Sequence, residues 1–354
     1  MGANPSRREG DQTMLRELLN PGRLGNAALQ AAQMALGTIE QRGDPVMLQI
    51  EVTSRCNFRC SYCIVHNGSG DERGLDMPED MFQEILSAFP RSVYLQLQGQ
   101  GEPLLHSSLP NMIRHAKNKG RLVGTVTNGS LWTEARTNAV LDAGIDAVAF
   151  SIDLARKKTV EHDRPGMDYD KVVTHLRRAL RIRDEIGGKT QIGISCVLKS
   201  TTPWDEVVVT VRSLDSLGID FLMIGPLAGT PTYQDRYPDG MIDGRSDREL
   251  LARVMSINTQ CKKLNTPRVD TLAGRCTWAW GAALYINADG SVSYCANNHR
   301  VQVTPRFERE VGNLRHFREL REEFTANRTP TGCLGCHYLL AHSEPATRRR
   351  LPIL

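Results

Sequence analysis

The stretch Cys56-Asn57-Phe58-Arg59-Cys60-Ser61-Tyr62-Cys63 follows directly on a β-like run, Met47 to Val52. It sets three thiols at a Cys-x3-Cys-x2-Cys spacing on one short loop. Three such thiols can converge on one inorganic cluster and leave the fourth iron of a cubane without a protein ligand. A small molecule can chelate that open iron. A structural zinc site closes with four ligands, and His66 is the nearby residue that could complete one. The tight Cys-x2-Cys-x2-Cys-x3-Cys-Pro run of a bacterial ferredoxin is absent. With Arg55, Asn57 and Arg59 around the loop, the spacing does not read as three scattered core cysteines.

Outward from this loop the chain alternates. Strand-like runs lie at 47–52, 93–98, 122–127, 147–152, 191–198 and 221–224. Helical patterns lie between them at about 78–88, 109–119, 133–143, 169–186 and 204–217. Pro78 and Pro203 stand at helix starts. Gly120, Gly144 and Gly218 follow helix ends as caps. Such βα alternation predicts a parallel sheet with helices outside, and chemistry gathers at the C-terminal ends of parallel strands. The cysteine loop lies at the end of the first strand.

Loop and alternation together resemble the radical S-adenosylmethionine (SAM) superfamily. The resemblance implies an α/β fold, a partial (β/α)6 TIM-like barrel. It implies that Cys56, Cys60 and Cys63 hold a SAM-binding 4Fe–4S cluster. The amino and carboxylate groups of SAM would sit on its open iron, and reductive cleavage would give a 5′-deoxyadenosyl radical. Further motifs fall at strand ends in family order. Gly99-Gln100-Gly101-Glu102-Pro103 stands where the family shows Gly-Gly-Glu-Pro, with Gln100 in place of a glycine. Asn128, Ser151, Asp153 and Arg164 are expected around the methionine, ribose and carboxylate parts of SAM, and Tyr62 near its adenine. Each motif alone also reads as an ordinary turn or packing residue.

A second cysteine group, Cys276, Cys295, Cys333 and Cys336, spans a hairpin around Asp289-Gly290 and a helix near 314–324. It resembles the α+β twitch domain, a shortened relative of the SPASM domain. The resemblance implies one auxiliary 4Fe–4S cluster, hence two in all. A four-cysteine zinc ribbon is the competing reading. The expected organisation is a helical cap over 1–45, the barrel over 46–227, a connector over 228–260, the auxiliary domain over 261–345 and a tail over 346–354. Cys261 reads as a structural or surface thiol and Cys196 as a buried small apolar residue; were Cys196 turned inward, it could donate a hydrogen atom.

The 354 residues are 40% apolar and 24% charged, with a net charge of +4. That balance does not suggest nucleic acid, and no run reaches the length of a membrane span. Nine cysteines without an export signal point to a reducing, cytoplasmic compartment. Twitch-bearing relatives imply a hydroxylated small-molecule substrate and a flavodoxin- or ferredoxin-type reductant. The sugar- and aminocyclitol-modifying dehydrogenases and diol dehydratases of antibiotic biosynthesis are the expected kin. Epimerases, peptide maturases, the molybdenum-cofactor cyclase and a non-catalytic zinc scaffold are the alternatives. Arg268, Arg275 and Tyr285 are candidate substrate contacts beside the auxiliary cysteines.

Overall fold

A computed structural model describes residues 20–63, 74–199, 201–226, 244–265, 271–272, 275–293, 295–296, 302–308, 310–330 and 333. Its first element is helix α1 (Pro21–Leu36). The helix starts at Pro21. The Asn20 side chain accepts from the amides of Gly22 and Arg23, and proline suits the first helical turn. Gly37, at φ +69°, ends it in the left-handed conformation.

The sheet begins with β1 (Met47–Ile50) and continues through β2 (Tyr94–Gln96), β3 (Leu122–Thr127), β4 (Ala147–Ser151), β5 (Gln191–Leu198) and β6 (Phe221–Pro226). These six run parallel in sequential order. Between them lie α2 (Glu79–Ala88), α3 (Leu109–Asn118), α4 (Glu134–Asp142), α5 (Lys157–Asp163), α6 (Tyr169–Glu185) and α7 (Trp204–Asp215). The expected (β/α)6 arrangement is therefore present. Helix α5 was not legible beforehand. Its seven residues, with one buried side chain, are too short to show a helical period.

The sheet extends at both edges. After α8 (Gly244–Ser256), β7 (Lys262–Asn265) adds a parallel strand to β6. At the other edge, β10 (Ala283–Ile286) pairs in parallel with β1, Met47 to Ala283 and Ile50 to Ile286. Strands β11 (Val292–Ser293) and β12 (Gln302–Thr304) follow antiparallel. A small separate ribbon joins β8 (Thr271–Leu272) to β9 (Arg275–Cys276). The hairpin of the second cysteine group thus continues the barrel's own sheet. Helix α9 (Arg315–Thr325) is the last described helix.

Alternation divides the sheet into two unlike faces. Leu48, Ile50, Leu95, Leu97, Val123, Val148, Phe150, Ile192, Ile194, Leu222 and Ile224 are fully buried under the helices. The opposite, concave face carries Gln49, Tyr94, Gln96, Ser151 and Ser195, mostly half-buried. One face supplies the core and the other is left for a ligand. Arg321, fully buried on α9, binds the carbonyls of Ile39, Ala279 and Gly312 at 2.6, 3.1 and 2.7 Å. It ties the N-terminal segment to the C-terminal one. Among the described residues no helix is long and apolar enough to cross a membrane.

Candidate functional site

The cysteine loop leaves the end of β1 and docks on the turn that follows α5. The Arg59 amide donates to the Pro165 carbonyl (2.9 Å) and the Ser61 amide to the Asp163 carbonyl (2.8 Å). Gly166, at φ +101°, lies so close that a Cβ there would sit 3.2 Å from the Asn57 carbonyl. The Arg164-Pro165-Gly166 turn therefore shapes the loop through its backbone, a role that its arginine does not advertise.

The other strand ends converge on the same loop. Gly101 passes against the backbone of residues 53–55, and any Cβ there would overlap the Thr53 carbonyl and lie 2.6 Å from that of Arg55. The Gln100 amide donates to Glu51 Oε1 (2.9 Å), and the Ala288 amide donates to Glu51 Oε2 (3.2 Å). Glu51 so links the ends of β1 and β2 to the β10–β11 turn. Fully buried Glu102 accepts from Leu104 N (3.1 Å), Thr127 Oγ1 (2.7 Å) and Asn128 N (2.6 Å). Burial pushes its carboxyl above the usual range, although these three donors oppose the shift. Asn128 Nδ2 in turn donates to Asn57 Oδ1 (2.9 Å) inside the cysteine loop.

Asp153 forms the second anchor. Its carboxylate accepts from Arg164 Nε and Nη2 (3.0 and 2.8 Å), Tyr62 Oη (2.5 Å) and Val197 N (3.1 Å). Burial alone would push this carboxyl up, but the Arg164 guanidinium and the hydrogen bonds hold it below the usual range. Burial raises the Tyr62 phenol. Arg164 and Lys199 both face the Tyr62 ring, 5.3 and 4.8 Å from its centroid. Lys199 also pairs with Asp163. Expected as the cation for SAM, Arg164 spends two of its three nitrogens on Asp153. Lys199, Glu51 and Asn57 were missed by sequence reasoning; the position of Lys199 just past a strand end was the available signal. Ser151 stands half-buried on the concave face, in register with Ser195.

Cys56, Cys60 and Cys63 are half-buried, and none is in a disulfide. Burial above all, with like-charge repulsion from the neighbouring cysteines, pushes Cys56 up to about 11 and Cys60 up to about 12. Thiols grouped this closely become thiolates together only beside a strongly positive centre, which is the chemistry of a metal ligand set. Among the described residues no three His, Cys, Asp or Glu side chains close round a single ion. The fit of a cluster therefore rests on the donor set and its shared loop.

Of the second group, Cys276 and Cys295 pack against the buried cluster of Trp278, Ala283 and Tyr285, and Cys276 and Cys333 against the main core. Cys336 and Arg268 lie outside the described residues. Arg275 turns from the position expected of a substrate contact. Its Nη1 donates to the Met34 and Ala35 carbonyls (2.7 and 2.9 Å), so it caps α1. Tyr285 is fully buried. Cys196 lies in the helix-packed layer with its Sγ 3.3 Å from the Met223 carbonyl, as expected of a structural thiol. Cys261 is also buried.

Comparison with known proteins bears on this arrangement. Residues 50–192 match the family model described as "Radical SAM superfamily". The chain is 31% identical over 208 residues to the tungsten-containing aldehyde ferredoxin oxidoreductase cofactor-modifying protein of Pyrococcus furiosus, covering 56% of each chain. It is 37% identical over 114 residues to GTP 3′,8-cyclase of Chlorobaculum tepidum, covering 31% of this chain and 34% of that one. The chain thus spans about half or less of the length of these relatives. Among solved structures, Streptococcus suis SuiB bound to precursor peptide SuiA superposes with a TM-score of 0.62 at 14% identity, over 90% of this chain and 75% of that one. At that identity the likeness concerns the fold alone. Such a domain implies a 4Fe–4S cluster and SAM, and the loop of Cys56, Cys60 and Cys63 fits them. Residues 50–192 are thus similar to the radical SAM superfamily.

Proposed function

We propose that this protein is a radical SAM enzyme that reductively cleaves SAM and takes a hydrogen atom from a hydroxylated small molecule. Dehydrogenation or 1,2-diol dehydration is the outcome favoured. One observation carries the reading: a three-thiol loop at the C-terminal end of β1, locked by the Asp163–Pro165 backbone and met there by Glu102, Asn128 and Asp153. When bound, the cluster supplies the electron that cleaves SAM. The protein's own part is positional. Glu102 fixes Asn128 against Asn57, and Asp153 fixes Tyr62 on the loop between the second and third cysteines. Lys199, Arg164 and the backbone of Gln100 and Gly101 border the space left for SAM.

A second cluster on Cys276, Cys295, Cys333 and Cys336 belongs to the same proposal. The packing of Cys276 and Cys295 on one small core supports it. An oxidised cluster there would accept the electron released when a hydroxyalkyl radical loses its proton, so dehydrogenation would balance. The relatives named GTP 3′,8-cyclase favour a second reading, an intramolecular cyclisation with no change in mass. Anaerobic reconstitution is the test. The enzyme should carry about eight irons, release 5′-deoxyadenosine on reduction, and shift substrate mass by two hydrogens or one water. An unchanged mass with a new cyclic product would favour the second reading. A colourless, iron-free protein would refute both.

A further inference from the structure

The concave face holds a hydrogen-bonded ladder that the cysteine chemistry does not use. On β2 and just past it, Tyr94, Gln96 and Gln98 follow one another at a spacing of two and so share a face. The Tyr94 hydroxyl donates to Gln96 Oε1, and Gln96 Nε2 donates to Gln98 Oε1 (2.7 Å). The ladder therefore has a direction. Each amide spends its oxygen on the residue below and points its nitrogen toward the C-terminal edge, where the cysteine loop lies. Gly124 on β3 makes room for it, since a Cβ there would overlap the Tyr94 hydroxyl.

Among the described residues the ladder ends on donors without a partner. Gln98 Nε2 has no hydrogen-bond partner among the described residues. Beside it, Gln49 is in register with Gln96, is only 8% exposed, and has no side-chain partner among them either. Leu48 and Ile50 on either side of Gln49 are in the helix-packed core, so its amide faces the concave side. Ser151 and Ser195, register partners on β4 and β5, add two half-buried hydroxyls without side-chain partners among the described residues. Two amides and two hydroxyls, one residue buried and three half-buried, so offer hydrogen-bonding groups to a ligand on one face.

We infer that this face binds a neutral, oxygen-rich group, a polyol or an uncharged sugar, through the amides of Gln49 and Gln98 and the hydroxyls of Ser151 and Ser195. Amides and hydroxyls match hydroxyl and carbonyl oxygens. They bring no counter-charge to a phosphate or carboxylate, whose burial demands one. The inference rests on the proposed function only in naming this ligand the substrate. Gln49 and Gln98 then determine specificity, and Tyr94 positions Gln98 through Gln96.

Matched probes test it on the reconstituted protein holding SAM: myo-inositol against myo-inositol 1-phosphate, and guanosine against GTP, with Kd read by calorimetry. In at least one pair the neutral member should bind about tenfold or more tighter than its phosphorylated partner. Gln98→Glu keeps the oxygen that accepts from Gln96 but removes the outward donors, and should weaken the neutral probe about tenfold. Tyr94→Phe, which touches no ligand, should weaken it by about threefold. Should Gln98→Glu fail to fold, Gln98→Met replaces it with the same expectation. Absence of binding by both neutral probes, preference for the phosphorylated ones, or unchanged affinity in the Gln98 variant would overturn the inference. Release of 5′-deoxyadenosine by the unsubstituted protein reports separately on the proposed function. Binding without SAM cleavage sinks that function and leaves this site, and the reverse sinks only this site.

Discussion

Replacing Asp153 with asparagine should be among the most damaging isosteric changes available to this chain. The carboxylate is 3% exposed and receives four hydrogen bonds, two of them from an Arg164 that is 5% exposed. An amide keeps one acceptor oxygen but turns an NH2 group toward donors, and it leaves the guanidinium charged, buried and without its counter-ion. Breaking a buried pair in this one-sided way costs about 3–5 kcal/mol. For a chain of 354 residues that corresponds to a fall in Tm of about 4–7 °C. The double variant Asp153→Leu with Arg164→Met removes both charges together and should recover part of the loss, because a well-packed apolar pair often matches a buried ion pair, while the Tyr62 hydroxyl and Val197 amide still lack their acceptor. The sign of the pH dependence follows from the depressed carboxyl. The pairing contributes fully above the unfolded value of about 4 and is lost as pH falls through the lower folded value. The gap between the native protein and Asp153→Asn should therefore narrow in acid. Urea melts at neutral and acid pH measure all of this. A single variant within about 1 kcal/mol of the native protein at neutral pH, or a double variant no better than the single one, would refute the account.

Gly101→Ala should destabilise by at least about 2 kcal/mol and impair iron loading, because both atoms it strikes are backbone carbonyls that cannot swing away; thermal melts and iron assays read the two effects. Substituting Cys56, Cys60 and Cys63 together by alanine should reduce reconstituted iron from about eight to about four per chain. Substituting Cys276 and Cys295 should remove the other half while sparing the first, and loss of nearly all the iron from either set would argue against two independent clusters. Arg321→Met removes the donors for three buried carbonyls and should cost about 2–4 kcal/mol, seen as earlier proteolysis of the C-terminal segment.

The six-strand βα order was legible because Leu48, Ile50, Leu95 and Leu97 alternate with polar residues and glycines mark the helix ends. The cysteine loop was legible because ligand spacing is local. What escaped was long-range. Nothing near Ala283 announces a parallel partner in Met47, since a four-residue apolar run fits a hairpin as well as a sheet edge. Arg275 misled for a related reason. Its neighbourhood of cysteines suggested a ligand, while its true partners, the carbonyls of Met34 and Ala35, lie some 240 positions away. Asp153 and Arg164 were singled out for SAM, but a sequence does not reveal that two functional candidates have each other as partners.

The parallel seam between β1 and β10 carries a cost in time. During synthesis Met47 must wait for Ala283 to emerge, so the flank of the opening strand stays bare while almost the whole sheet assembles beside it. A bare flank of this kind invites strands from neighbouring nascent chains. A polypeptide halted before β10 should accordingly clump rather than persist as a working half-molecule, and the last hairpin acts as the bolt that shuts the sheet.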